Sequence, residues 1–245
     1  MSANFEILIL CGGEGKRLRS MISDVPKPMA PIGDKPFLDY LVRSIEKQGF
    51  KNYCFLSGYK SENITSYFKE NFKDLNIRFS IEENPLGTGG AIFQAVKNSN
   101  FQKFIILNGD TFFNIDLNSL SSNWKEGTLK IALKKIVDSA RYGRVDIDKN
   151  GVVTSFLEKG ESQLDSASLI NGGIYILDKS ILDFDSNKNS FVSLENDIFP
   201  KLLSLRKINT QTFVDEFIDI GVPEDYIKAK SLIQKWLNTA KANNE

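Results

Sequence analysis

Short runs of consecutive apolar residues alternate with segments of helical periodicity along the first hundred residues. The runs at 7–11, 53–57 and 104–107 lack the in-out alternation of a half-exposed strand. Runs of that kind suit strands buried on both faces, as in a parallel sheet covered by helices. Between the first two, residues 36–48 place Phe37, Leu38, Leu41, Val42 and Ile45 at helical spacing, and Gly49 follows as a C-terminal stop. Residues 64–72 predict a second, shorter helix. Residues 91–96, after Gly87, Gly89 and Gly90, predict a third. The order strand, helix, strand, helix, strand, helix, strand through residue 107 leaves one strand without bounds. It predicts β-α-β units in an open α/β sheet.

The second half has a different rhythm. Residues 129–137, 144–148 and 152–157 alternate as strands do, and Asn150-Gly151 between the last two is a two-residue hairpin signal. Residues 170–177 predict another strand, and 193–203 a helix that Pro200 breaks or kinks. Pro223 opens a helix to 237 that turns Ile227, Ile233, Trp236 and Leu237 to one side. The expectation is one α/β domain over residues 1–240 with an antiparallel extension, and a frayed polar tail at 241–245.

Composition narrows the chemistry. The 245 residues carry 31 Lys+Arg against 31 Asp+Glu, with a pI near 6.4. That balance gives no overall attraction to nucleic acid or an anionic membrane. There is no histidine, which removes Ser-His-Asp and Cys-His schemes, two-His zinc sites and imidazole as a general base. Chemistry must run on carboxylates, Lys, Arg and backbone dipoles, with room for a hard metal ion. The two cysteines, Cys11 and Cys54, fall in apolar runs and read as core residues of a reducing compartment. The apolar stretch 5–10 is too short to span a membrane and lacks a signal peptide's basic start and cleavage site, so a cytoplasmic protein is expected.

Leu10-Cys11-Gly12-Gly13-Glu14-Gly15-Lys16-Arg17-Leu18 follows the first strand directly. Glycines let the backbone approach an anion, and Lys16-Arg17 supply charge, so the loop is a candidate phosphate cradle. The Walker pattern fails because Arg17 follows Gly15-Lys16. The dinucleotide pattern fails because Leu18 stands where its third glycine belongs, which disfavours an oxidoreductase. Val25-Pro26-Lys27-Pro28-Met29 sets one lysine between two prolines, whose rings stiffen the backbone that aims it. Asp110, after Asn108-Gly109 and the third apolar run, sits where a carboxylate can meet Mg²⁺. Asp219, between Ile218 and Ile220, reads as one face of a short strand. Glu82, just before the Pro85-Leu86-Gly87-Thr88 turn, is either a solvated acid paired with Glu83 or an acceptor for a ligand's N–H groups.

A glycine loop ending in Arg-Leu, then Pro-Lys-Pro, then an acidic residue after a buried strand, resembles the sugar-1-phosphate nucleotidyltransferases. Pro85–Ala91, Asn108-Gly109-Asp110, Glu158-Lys159, Asn171-Gly172-Gly173 and the stretch from Asp219 to Tyr226 follow in the family's order. The resemblance covers nearly the whole chain and departs at Lys16, where the family often has Thr or Ser. It implies a Rossmann-like open mixed sheet flanked by helices, of the nucleotide-diphospho-sugar transferase type. The implied reaction is attack of a sugar 1-phosphate on the α-phosphorus of a nucleoside triphosphate, releasing pyrophosphate. By resemblance Arg17 and Lys27 act on the phosphates. Leu10, Gly12, Gly13, Gly15, Lys16, Glu82, Gly87, Thr88 and Asp110 surround the nucleotide. Gly109, Glu158, Lys159 and Asn171 hold the sugar phosphate, and Asp110 and Asp219 hold Mg²⁺. The strongest matching stretches lie in the family's heptose 1-phosphate guanylyltransferases, which implies GTP. Mannose 1-phosphate with GTP, glucose 1-phosphate with UTP or its thymidine counterpart, and a non-catalytic sugar-nucleotide-binding subunit stay open.

Overall fold

The computed structural model describes residues 4–13, 15–18, 21–22, 24–137, 142–157, 167–185 and 191–242. The first half begins with β1 (Phe5–Leu10), a ribbon of β2 (Pro31–Ile32) and β3 (Lys35–Pro36), and α1 (Phe37–Glu46). It continues through β4 (Asn52–Ser57), α2 (Ser61–Asn71), β5 (Asn76–Ile81), α3 (Gly87–Lys97) and β6 (Lys103–Asn108). The strand that the alternation left without bounds is β5. It is a half-exposed edge strand whose Asn-Ile-Arg-Phe-Ser-Ile sequence lacks an apolar run.

The second half holds β7 (Thr111–Phe113), α4 (Leu117–Ser121), β8 (Leu129–Ile136), β9 (Arg144–Ile147), β10 (Val153–Leu157) and β11 (Ser168–Asp178). A π-helical turn (Leu194–Ile198) then leads into α5 (Phe199–Ser204), followed by β12 (Ile208–Phe213), β13 (Phe217–Asp219) and α6 (Pro223–Ala242). Pro200 sits in the first turn of α5, where its missing N–H costs nothing, so the predicted break falls just before it. No helix among the described residues is long and apolar enough to cross a membrane.

The main sheet is mixed, as expected. Strands β6, β1, β4 and β5 lie side by side in parallel. Beyond β6 the direction reverses. The second half of β11 pairs antiparallel with β6 and its first half touches β9, while β8 runs along its other edge and β12 joins β8. On β1, Ile7 and Ile9 enter the core under α1, α2 and α6, whereas Leu8 enters the core under α3 and α5. Burial on both faces is why the run reads as continuously apolar.

Three expectations need correction. The hairpin between β9 and β10 is not a two-residue turn: only Gly151 adopts a positive φ (74°). Asp148 instead accepts the N–H groups of Asn150 and Val152 through its side chain, and its carbonyl accepts Gly151 N–H, giving a turn closed by a glycine bulge. In α6 the buried face is Tyr226, Ala229 and Ile233; Ile227 points to solvent. The helix also runs through Ala242, so residues 241 and 242 are helical rather than a frayed tail.

Candidate active site

The sheet changes direction of growth at β1. Strands β4 and β5 extend it on one side, and the chain returns through α3 to lay β6 on the other. Ligands of open α/β sheets bind outside the carboxyl ends of strands at such a point. A cleft of about 880 Å³ opens there. Its walls are the loop after β1, the ends of β4 and β5, the start of α3 and the segment after β6.

The loop after β1 is shaped by its glycines. A Cβ on Gly12 would collide with Glu82 Oε1, and one on Gly15 would come within 2.7 Å of Lys27 Cβ; Gly15 also has φ +59°. Gly13 is exposed and open, with nothing within 4 Å of a Cβ placed there. The loop closes in a 3₁₀ turn, where Leu18 N–H donates to Gly15 O at 2.9 Å. Leu18 is buried beneath that turn and Arg17 is exposed at the cleft, so the residue that breaks the dinucleotide pattern anchors the loop. The backbone of Lys16 belongs to the same turn, and its side chain lies outside the described residues.

Lys27 follows Pro26 (φ −65°, ψ 149°) and opens a second 3₁₀ turn with Pro28 buried behind it. Its side chain is only 11% exposed, and Nζ lies 2.6 Å from Asp110 Oδ2 and 3.9 Å from Asp219 Oδ1. The two carboxylates come together through the antiparallel ribbon of β7 and β13, which sets Asp219 opposite Thr111, while Ile220 N–H donates to Asp110 O at 3.0 Å. Ile218 and Ile220 are buried, so Asp219 is turned to the other face, as the alternation predicts. Burial and then the neighbouring Asp110 charge push the Asp219 carboxyl up, against the opposing pull of Lys27 and of Gly221 N–H.

Hard carboxylate oxygens at this spot fit a divalent cation such as Mg²⁺, which is bound by one or two carboxylates together with substrate phosphates. Among the described residues no group of three or more Cys, Asp or Glu side chains is arranged around a metal.

At the other end of the cleft, Glu82 lies against Gly12 and Gly58, and its Oε2 accepts Leu86 N–H at 2.9 Å. Gly87 starts α3 with φ +75°. The Thr88 hydroxyl accepts Leu194 N–H at 2.8 Å and donates to Glu195 Oε2 at 2.9 Å. Leu10 closes the cleft where β1 ends, and Cys11 beside it is a buried thiol whose S–H donates to Leu56 O.

The chain matches the nucleotidyl transferase family over residues 6–235. It belongs to that family. It is 47% identical over 223 residues to D-glycero-alpha-D-manno-heptose 1-phosphate guanylyltransferase of Campylobacter jejuni, covering 90% of this chain and 96% of that one. It is 41% identical over 234 residues to the enzyme of the same name from Aneurinibacillus thermoaerophilus, covering 95% of this chain and all of the other. The crystal structure of HddC from Yersinia pseudotuberculosis complexed with GMP-PN superposes with a TM-score of 0.81 at 37% identity, covering 92% of this chain and 98% of that one. Nucleotidyltransferases of this family generally use a divalent metal.

The expected sugar-phosphate residues of this nucleotidyl transferase are placed less uniformly. Gly109 is buried where a Cβ would come within 2.7 Å of Leu10 O, and its N–H donates to that carbonyl. Its glycine is required by the close approach of β1 and β6. Asn171 precedes the bulge in β11, as the Gly172-Gly173 pair suggests, and its Nδ2 donates to Tyr175 Oη at 2.9 Å. Burial pushes that phenol up. Glu158 and Lys159 lie outside the described residues. Tyr59, Phe191, Glu195 and Gly221 line the cleft without having been predicted. Tyr59 carried a usable signal, since it follows the run 53–57 at a strand's carboxyl end. Phe191 and Glu195 come from a segment with no glycine motif.

Proposed function

We propose that this nucleotidyl transferase joins GTP to D-glycero-α-D-manno-heptose 1-phosphate and releases GDP-heptose and pyrophosphate. The observation that carries the reading is the ammonium of Lys27, held between Asp110 and Asp219 at one end of a cleft whose rim bears Arg17. Two polyanions must meet there, so positioning and charge neutralisation supply most of the catalysis. A sugar-phosphate oxygen forms the new bond to the α-phosphorus as the bond to the β-phosphate oxygen breaks, and the electron pair leaves with pyrophosphate. Neither partner needs a proton moved, which accords with a chain lacking histidine.

Arg17 and the backbone of the glycine loop hold the triphosphate, and Lys27 neutralises the charge that builds at the α-phosphate. Asp110 and Asp219 hold Mg²⁺, which when bound supplies further charge neutralisation on the phosphates. Glu82 accepts the guanine N–H groups, with Gly87 and Thr88 beside it. Asn171, Glu158 and Lys159 receive the sugar phosphate. The reading implies a cytoplasmic enzyme whose nucleotide sugar feeds polysaccharide assembly. Support for base and sugar comes from the two guanylyltransferases of that name and from the GMP-PN in the HddC crystal. The test is pyrophosphate release from GTP, UTP, dTTP and ATP against heptose, mannose and glucose 1-phosphates. Release with GTP and the heptose alone is expected. Release with another pair would replace the substrate assignment, and silence with every pair would favour a sugar-nucleotide-binding subunit.

A further inference from the structure

The segment Phe191–Leu194 is strapped across the start of α3. Val192 N–H donates to Leu86 O at 2.8 Å, and Val192 O accepts the N–H groups of Gly89 at 2.8 Å and Gly90 at 3.2 Å. Leu194 N–H is held by Thr88 Oγ1 at 2.8 Å. Gly87 and Gly89 are obligatory under this strap: a Cβ on either would run into Val192. The third and fourth donors of α3, the N–H groups of Gly89 and Gly90, are thereby used within the chain. Just ahead of these bonds stands Phe191, which lines the cleft with 68% of its surface exposed. Other large aromatics nearby, such as Tyr175 and Phe199, are buried. A ring held in water by a pinned backbone is conspicuous, because burial would stabilise it.

The place of the ring in the cleft narrows what it can meet. Its Cζ lies 3.2 Å from a Cβ built on Gly87, and Gly87 follows Leu86, whose N–H is bound by Glu82. Leu56, Pro85 and Ala91 line the cleft together with the carboxylates Glu82 and Glu195, which bond Leu86 N–H and the Thr88 hydroxyl on either side of Gly87, whereas the cations Arg17 and Lys27 line it elsewhere. A flat ligand with an apolar face and N–H donors at its edge suits the end beside Phe191. Resting on the reading of this cleft as the nucleotide site, we infer that Phe191 is the platform on which the base stacks, favouring a purine because its larger π-face covers more of the ring. Glu82 then reads the edge of the base and Phe191 its face. Stacking of this kind is sequence-tolerant among purines and adds affinity rather than chemistry.

The experiment compares Phe191→Ala and Phe191→Trp with the parent enzyme, using GTP and the sugar 1-phosphate as separately varied substrates. An alanine is expected to raise KM for GTP about tenfold, the scale set by base–aromatic stacking. The kcat and the KM for the sugar 1-phosphate should stay within twofold. Tryptophan should restore the KM, and its indole emission should be quenched on addition of GTP, over a background from Trp124 and Trp236, neither of which lines the cleft. An unchanged KM for GTP in the alanine variant would overturn the assignment. A rise confined to the KM for the sugar 1-phosphate would also overturn it and move the ring to the acceptor. If the parent enzyme uses another triphosphate, the substrate reading fails by itself, and the same comparison with that triphosphate still decides the role of Phe191.

Discussion

At the scale of single residues, the site is organised around one lysine. Pro26 and Pro28 fix the backbone on both sides of Lys27, Gly15 leaves room for its stem, and Asp110 and Asp219 receive its ammonium. Removing the charge while keeping the volume isolates its contribution. Lys27→Met is expected to lower kcat by about 10²–10³-fold, the scale for one preorganised electrostatic donor. Steady-state kinetics with pyrophosphate detection measures this, and a variant turning over within threefold of the parent would take Lys27 out of the mechanism. Lys27, Arg17 and Asp110 were legible because each sits in a local pattern: a proline bracket, a glycine loop, a strand end. Phe191 and Glu195 were not, because their place in the cleft depends on a strap bonded to residues about a hundred positions earlier. No local pattern records that pairing.

At the scale of elements, the parallel half was legible and its edge was not. Strands β1, β4 and β6 are buried on both faces and spell out apolar runs, but β5 and β12 are half-exposed and mix Asn, Arg, Gln and Thr with their apolar residues. Besides its parallel ladder with β4 and the packing of Ile77 and Phe79, β5 is tied to β1 and α3 by an ion pair whose acid is buried. Arg78 Nε and one guanidinium nitrogen lie 2.6 and 2.8 Å from the Glu6 carboxylate on β1, and that same nitrogen donates to Ala95 O on α3. Ser99 Oγ completes the shell at 2.7 Å. Glu6 is 3% exposed, so losing its partner strands a carboxylate in the core. Arg78→Met is therefore expected to cost about 3–5 kcal/mol, the usual penalty for breaking a buried pair. Urea unfolding at pH 7 reads this directly. A loss below 1 kcal/mol would mean that solvent reaches Glu6 and that the pair matters little to the joint between β1, β5 and α3.

At the scale of the whole molecule, the groups that resist ionisation set a boundary on the alkaline side. Cys54 is buried under α3 and burial pushes its thiol from 9.0 up to about 12. Burial likewise pushes up the Cys11 thiol and the Tyr53 and Tyr175 phenols. All four are neutral when protonated and raised in the folded state. Their contribution is therefore fully present below the unfolded value and is lost as pH rises toward the folded one. For Cys54 the interval from 9.0 to about 12 corresponds to a loss on the order of 4 kcal/mol. Urea midpoints should accordingly stay level from pH 7 to about 8.5 and fall steadily above it. Lysine deprotonation also changes the net charge over this range, so the discriminating comparison is with Cys54→Ala. That variant lacks one of the four groups, and its midpoint should fall less steeply between pH 9 and 11. Parallel declines in the two proteins would show that Cys54 ionises freely in the folded state and that the core around β4 is open to water.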